Sequence, residues 1–162
     1  MSSQLKNLSA YQPSEVPNAE GFRIGIAVAK WNSEITSSLY QGAVETLIRH
    51  GVSENNIYRL EVPGSFELPL AAQWLLETRK VDAVICLGCV IQGETRHFDF
   101  ICEGVSHGIM DLNLKFSKPV IFGVLTTDNQ EQALDRAGGK HGNKGTEAAI
   151  TAISMIALRD KA

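Results

Sequence analysis

Apolar and polar residues follow one another along the chain in blocks that fit strands and helices in turn. Short apolar runs typical of buried strands occur at residues 23–29, 57–62, 82–90 and 119–125. Apolar residues at helical spacing fill the intervals, over residues 33–50, 66–79, 97–116, 130–137 and 143–158. The pattern therefore predicts a regular alternation of strands and helices.

This alternation predicts the fold class. Apolar strands that alternate with helices are typical of a parallel sheet that is covered on both faces. Right-handed crossovers then give a three-layer α/β/α sandwich with a mainly parallel four-stranded sheet, of the flavodoxin-like kind. We expect one domain over residues 21–162 and a polar N-terminal arm over residues 1–20.

Local signals predict where several helices begin and end. Thr127 and Gln130 have the spacing of a capping box, and Gly138-Gly139 would end the helix that follows. Asn143 is expected to cap the last helix. The predicted buried stripe of the first helix consists of Ile35, Leu39, Ala43, Leu47 and Ile48, and that of the last helix of Ala148, Ala149, Ala152, Ile153 and Ile156.

Composition and charge narrow the function classes. The chain has 162 residues, 44% of them hydrophobic and 20% charged, with a net charge of −3. This balance gives no basic surface for nucleic acid. No apolar run reaches the roughly 18 residues of a membrane helix, and the N-terminus lacks the apolar stretch of a secretory signal. We therefore expect no nucleic-acid or membrane partner and a cytoplasmic location.

The three cysteines leave two interpretations open. Cys86 and Cys89 form a C-x-x-C within an apolar strand, and Cys102 falls in a helical segment. Buried structural thiols in a reducing compartment are the ordinary interpretation, and a redox pair is the alternative. A second C-x-x-C or a histidine at ligand spacing is lacking, so no metal site is predicted.

Chemically capable residues follow each predicted strand. Carboxyl ends of parallel strands meet at one edge of a sheet, where such folds bind ligands. The segments expected at this edge are Lys30–Asn32, Pro63–Glu67, Gly93–His97 and Thr126–Asp128. We expect one cleft there.

The residue types at this edge suit a planar heterocycle and an anion. Trp31 and Phe66 could stack on a ring or belong to the core, and Glu67 could accept hydrogen bonds or favour its own helix dipole. N–H groups at the start of a helix attract anions, and His97 could move protons near neutral pH or simply begin the helix. Both interpretations stay open for each residue.

A cation-rich turn lies near the C-terminus. Arg136, Lys140 and Lys144 surround the Gly-rich segment between the last two helices. A solvated turn is the ordinary explanation, although the guanidinium of Arg136 fits a phosphate. Neither a P-loop nor a dinucleotide fingerprint is present, which disfavours an NTPase or a dinucleotide-dependent enzyme.

Taken together, these segments resemble the lumazine synthase family. The resemblance covers residues 22–158 and includes Lys30-Trp31-Asn32 and Val62-Pro-Gly-Ser-Phe-Glu-Leu-Pro69. Further matching blocks, in the same order along the chain, are Leu87–Phe100, Val120–Thr127, Glu131–Gly138 and Gly142–Gly145. Trp31 stands where the family often has phenylalanine, and Gln92 where a basic residue is common.

The resemblance implies a reaction and a set of site residues. The family condenses 5-amino-6-ribitylaminouracil with 3,4-dihydroxy-2-butanone 4-phosphate to 6,7-dimethyl-8-ribityllumazine, the penultimate step of riboflavin biosynthesis, without a metal or organic cofactor. His97 matches the proton donor, and Glu94, Thr95 and Arg136 match the binding site of the butanone phosphate. The residues that match the uracil site are Trp31, Ser65, Phe66, Glu67, Cys89, Val90, Ile91 and Phe122.

The resemblance also implies assembly. Family members form homopentamers, with Phe122 and Arg136 matching residues supplied by a neighbour, and many close into a 60-subunit shell. The short turn at residues 138–145 is more like the shell-forming members, and residues 1–20 would add a strand to a neighbour's sheet. Association with riboflavin synthase is a further expectation. A flavin or lumazine carrier and a scaffold with a vestigial cleft are the rival functions.

Overall fold

Four parallel strands form the centre of the protein, for which the computed structural model describes residue 7 and residues 9–162. The strands pair in the order β2-β1-β3-β4. Their bounds are Ile24–Ala29 for β1, Ile57–Val62 for β2, Ala83–Ile91 for β3 and Val120–Thr127 for β4. All three pairings are parallel, so the carboxyl ends of the strands lie at one edge.

Helices cover both faces of this sheet. Their bounds are Ser33–Arg49 for α1, Leu68–Thr78 for α2, His97–Phe116 for α3, Gln130–Asp135 for α4 and Lys144–Arg159 for α5. Buried residues of α1, α4 and α5 share one apolar cluster with the sheet, and those of α2 and α3 share the other. The predicted three-layer sandwich is confirmed. Across the described ranges, no helix combines the length and the apolar character needed to cross a membrane.

The central strand β3 sends alternate side chains into the two cores. Cys86 lies in the core under α2 and α3, whereas Cys89 lies in the core under α1 and α5. Burial raises the pKa of the Cys86 thiol to about 12 and that of Cys89 to about 11. Thiols on opposite faces of one strand cannot form a disulfide without breaking the sheet. The redox-pair interpretation is therefore wrong.

Helices α1 and α5 approach each other closely at the start of α5. A Cβ atom on Gly145 would lie 1.8 Å from the carbonyl oxygen of Leu39. Asn143 caps α5, as predicted, because its Oδ1 accepts from the backbone N–H groups of Gly145 (2.8 Å) and Thr146 (3.3 Å). Its Nδ2 donates to the Ser38 carbonyl of α1 at 3.0 Å, so one side chain joins the two helices.

Three local predictions were wrong. The cap of α4 is Asn129, whose Oδ1 accepts from Gln132 N–H, and the Thr127 hydroxyl instead donates to the Asn129 carbonyl. Ile48 is 40% exposed and lies outside the buried stripe of α1. The segment between α4 and α5 forms a small antiparallel pair, β5 (Ala137–Gly139) and β6 (Gly142–Asn143), which the glycine pattern did not reveal.

The N-terminal segment rests in part on its own domain. Residues 1–6 and residue 8 of the predicted arm lie outside the described residues. Ala19 is fully buried in the core under α1 and α5, so the core begins within the segment assigned to the arm. The Tyr11 hydroxyl lies 3.1 Å from His50 Nε2, and the Ser9 hydroxyl accepts from the Asn143 backbone N–H at 2.8 Å.

The close approach of α1 and α5 predicts a large effect of one methyl group. Gly145→Ala should lower the free energy of unfolding by about 3 kcal/mol, because backbone rather than a flexible side chain occupies the required space. Gly93→Ala is the matched control, since nothing lies within 4 Å of a Cβ placed there. Urea unfolding followed by circular dichroism should separate the two variants. Equal stability would show that the helices can move apart.

The burial of the thiols predicts their order of reaction with a disulfide reagent. At pH 8 only about one in a thousand Cys89 thiols would be ionised, and fewer at Cys86, because both pKa values are raised. Cys102 is only partly buried, although burial and the charge of Asp99 raise its pKa as well. Cys102 should therefore be labelled first, and the other two only in denaturant. Rapid labelling of all three in the native protein would contradict the packing of β3.

Candidate active site

A cleft of about 770 Å³ opens at the carboxyl edge of the sheet. It lies beside the ends of β1 and β3, where the strand order reverses and parallel sheets of this kind bind ligands. Its lining consists of Trp31, Asn32, Pro63, Gly64, Ser65, Phe66, Glu67, Cys89, Val90, Ile91, His97, Phe100 and Ile101. Eight of the predicted site residues thus meet in a single chain.

Trp31 provides an exposed aromatic face on one side of the cleft. Its side chain is 73% exposed, so it does not cover the edge of the core. Its backbone N–H donates to the Pro63 carbonyl at 3.1 Å, and the N–H of Lys30 donates to Val62 at 2.8 Å. These bonds tie the exit of β1 to the exit of β2. The backbone at Trp31 is fixed while the indole remains available for stacking.

The turn at Ser65–Glu67 forms the floor of the cleft and precedes α2. Ser65 is buried against Gly88, where a Cβ would lie 2.5 Å from its hydroxyl oxygen. Phe66 is 56% exposed and therefore not a core residue, and its ring lies over Gly104 of α3. Glu67 Oε2 accepts from the Gly64 N–H at 3.0 Å, so one carboxylate oxygen holds the turn and the other can face a ligand.

The end of β3 forms the wall that faces Trp31. Cys89 is buried, and Val90 and Ile91 are half-buried along the cleft. The carbonyl of Cys89 accepts a hydrogen bond from Nδ2 of Asn32 at 3.0 Å. Sequence reasoning placed Asn32 at this edge without giving it a role. Its position between Trp31 and the start of α1 is the one feature of the sequence that could have indicated a role at the cleft.

His97 lies at the opening of the cleft as the first residue of α3. It is exposed, and its backbone N–H points to the Thr95 hydroxyl at 3.4 Å. Glu94 and Thr95 form an exposed bend directly before it, outside the lining of the cleft. The Asp99 N–H donates to the Arg96 carbonyl at 3.1 Å. N–H groups at the start of a helix attract anions, so this bend is where an anion would bind.

Phe122 and Arg136 do not join the cleft of their own chain. Phe122 lies on β4 at the edge of the sheet and lines a separate cavity of about 370 Å³ with Met110, Lys144 and Glu147. The Lys144 ammonium is 2.8 Å from the Glu147 carboxylate. Arg136 follows α4, and its Nη1 donates to the Gln132 carbonyl at 3.0 Å.

The charged groups around the C-terminal turn are partly paired. The Lys140 ammonium lies 2.7 Å from the Asp135 carboxylate, whose hydrogen bond and charge raise the pKa of Lys140. Within residues 7 and 9–162, no three His, Cys, Asp or Glu side chains are grouped as metal ligands. The arrangement offers an aromatic face, a carboxylate and an imidazole, which suits binding of a polar heterocycle and proton transfer.

Comparison with known proteins agrees with this chemistry. Residues 21–160 match the family model for 6,7-dimethyl-8-ribityllumazine synthase. Proteins of that name are similar to the chain along almost its whole length. The one from Cytophaga hutchinsonii is 68% identical over 97% of this chain and 98% of its own. Those from Flavobacterium johnsoniae and Porphyromonas gingivalis are 57% and 56% identical, over 100% and 98% of this chain and 85% and 98% of theirs.

The match to the family model and the identity to these relatives both extend over nearly all of the chain. The architecture predicted from the alternation of strands and helices is the one observed, with the cleft at the expected edge of the sheet. The chain belongs to the 6,7-dimethyl-8-ribityllumazine synthase family.

Proposed function

We propose that this chain condenses 5-amino-6-ribitylaminouracil with 3,4-dihydroxy-2-butanone 4-phosphate in the cleft beside β1 and β3. The family membership gives the reaction, and the product is 6,7-dimethyl-8-ribityllumazine. The observation that carries the assignment of the site is the meeting of Trp31, Glu67 and His97 in one cavity. Incubating both substrates with the protein and following lumazine fluorescence tests it.

The pyrimidine would lie between Trp31 and the end of β3. The exposed indole offers a stacking face, and the backbone of Cys89–Ile91 offers polar groups at the opposite wall. Ser65, Phe66 and Glu67 lie at the floor, where the ribityl chain needs hydrogen-bond partners. Holding the two substrates in this geometry supplies much of the rate enhancement, because it converts a bimolecular step into a local one.

His97 would move protons during the condensation. The amine of the uracil attacks the ketone, water leaves as an imine forms, and loss of phosphate follows. Attack of the ribitylamino nitrogen on the remaining carbonyl carbon then closes the second ring with loss of a second water. Each of these steps shifts a proton, and an imidazole side chain can both donate and accept protons in such steps. Exposure at the mouth of the cleft leaves the ring accessible to both substrates.

The phosphate would bind at the bend before α3. Glu94 and Thr95 precede the helix start, where N–H groups and the hydroxyl can donate to phosphate oxygens. Arg136 would complete the site as a cation with a forked donor geometry. Its position outside the cleft of its own chain supports supply by a neighbour.

A shared site requires an oligomer. Phe122 lies on the exposed edge of the sheet at 36% exposure, and large apolar side chains of α3 such as Met110 and Leu114 are also exposed. Such surfaces suit contact with another copy of the chain. We propose a homopentamer that closes into a 60-subunit shell, with the N-terminal arm against a neighbour's sheet edge and riboflavin synthase as an associated partner.

We place the enzyme in the cytoplasm. Three unpaired thiols, two of them deeply buried, fit a reducing compartment. A flavin or lumazine carrier with the same cleft would bind the product without forming it, and a scaffold would do neither. The substrate incubation separates these two functions from the enzyme.

His97→Ala should lower kcat by roughly 10²–10⁴, the usual contribution of a general acid–base group. His107→Ala is the matched control, because His107 is exposed on the same helix but outside the lining of the cleft. Steady-state kinetics with both substrates measures the effect. A His97→Ala protein of native size with unchanged kcat would exclude proton transfer by this residue.

Arg136→Ala should raise the KM for the butanone phosphate at least about tenfold and that for the uracil much less, since a charged hydrogen bond to phosphate is lost. Arg79→Ala, which removes an exposed arginine at the C-terminal end of α2, serves as the control. A second experiment refolds equal amounts of the Arg136→Ala and His97→Ala proteins together. If each site takes His97 from one chain and Arg136 from its neighbour, random assembly should leave both residues intact in about a quarter of the sites. If no activity returned, His97 and Arg136 of one site would have to come from the same chain.

Light scattering of the purified protein should detect particles far above the 17.6 kDa of one chain. A pentamer would measure about 88 kDa and a sixty-chain shell about 1,060 kDa. We expect the shell. Particles of pentamer size alone would contradict the proposed shell but agree with a site shared between chains. A fully active monomer would contradict both proposals.

A further inference from the structure

The exit of β1 is attached to both of its neighbours in the sheet. On one side, the backbone N–H groups of Lys30 and Trp31 donate to the carbonyls of Val62 and Pro63, which follow β2. On the other side, the ordered pairing of β1 with β3 ends at Val28 and Leu87. Beyond that point, Asn32 Nδ2 donates to the Cys89 carbonyl at 3.0 Å, so a side chain from the exit of β1 reaches across to β3.

Asn32 is shaped for this position. Its backbone is left-handed, with φ 58° and ψ 47°, a region that asparagine enters more readily than most residues. This conformation turns the chain from β1 into α1, and the Asn32 carbonyl accepts from the N–H groups of Ile35 (2.9 Å) and Thr36 (3.0 Å). The side chain is thereby left to point across to β3.

We infer that Asn32 is a positioning residue that sets the distance between the stacking face of Trp31 and the Cys89–Ile91 wall. The inference rests on the proposed function only in naming the uracil as the ring that enters this gap. Trp31 is fixed on one side by its own N–H and on the other by the side chain of the next residue. Without the amide donor, this direct side-chain connection between the wall and the segment that carries the stacking face would be lost.

Two variants remove the donor and keep the left-handed turn. Asn32→Gly has no side chain, and Asn32→Asp keeps the shape but presents a carboxylate that cannot donate to the Cys89 carbonyl. Each should raise the KM for the uracil about 3- to 10-fold, the range expected for one lost hydrogen bond. The KM for the butanone phosphate should change less than about twofold, because the bend at Glu94 and Thr95 is untouched.

The matched control is Asp82→Ala at the opposite edge of the same two strands. Asp82 Oδ2 accepts from the Arg23 N–H at 2.8 Å, so it also joins the β3 and β1 segments by a side chain. Its removal should lower stability and leave the KM for the uracil unchanged. If Asp82→Ala raised the KM for the uracil as much as the Asn32 variants do, the effect would come from a loosened sheet, and the inference would be overturned.

A second measurement needs no turnover. In a Trp74→Phe background, Trp31 is the remaining tryptophan, and 6,7-dimethyl-8-ribityllumazine should quench its emission. The concentration for half-quenching should rise by the same factor in both Asn32 variants. Wild-type quenching and wild-type KM in both variants would overturn the role of Asn32, whereas a protein that quenches normally but forms no product would overturn the proposed function alone.

Discussion

The parallel pairing of β1 with β3 is the interaction on which the rest of the structure depends. It places the first strand in the middle of the sheet, so the chain crosses one way to β2 and back the other way to β3 and β4. The loops after β1 and β3 therefore leave in different directions and open a gap between them. The cleft occupies this gap, and both apolar cores meet at the two strands that border it.

The sequence predicted the architecture well because its main signals are local and strong. Each strand is an apolar run that ends at a turn residue, and the buried stripe of α5 follows from its helical spacing alone. The small β5–β6 pair was missed because its strands have only three and two residues. Gly138 and Gly142 adopt φ values of 114° and 80° there, and the same glycines signal the end of a helix equally well.

The site was predictable in part, and for two different reasons. Trp31, Glu67 and His97 follow strands whose ends must meet, so topology alone brings them together. Phe122 and Arg136 could be connected with the site only through the family resemblance, because nothing in their spacing brings them to the cleft and the fold of one chain keeps them apart from it. The sequence placed Asn32 at this edge but indicated no role for it, since its bond to the Cys89 carbonyl joins residues 57 positions apart.

The attachment of Trp31 through main-chain atoms has a consequence for how this site can diverge. Its N–H bond to Pro63 does not depend on the identity of the side chain, and the indole makes little contact with the core. Substitution among aromatic residues at this position should thus change the size of the ring that lines the cleft while sparing folding. Position 31 is in this way separated from the residues that secure the sheet, and the aromatic group that it presents to the cleft can change while the fold stays the same.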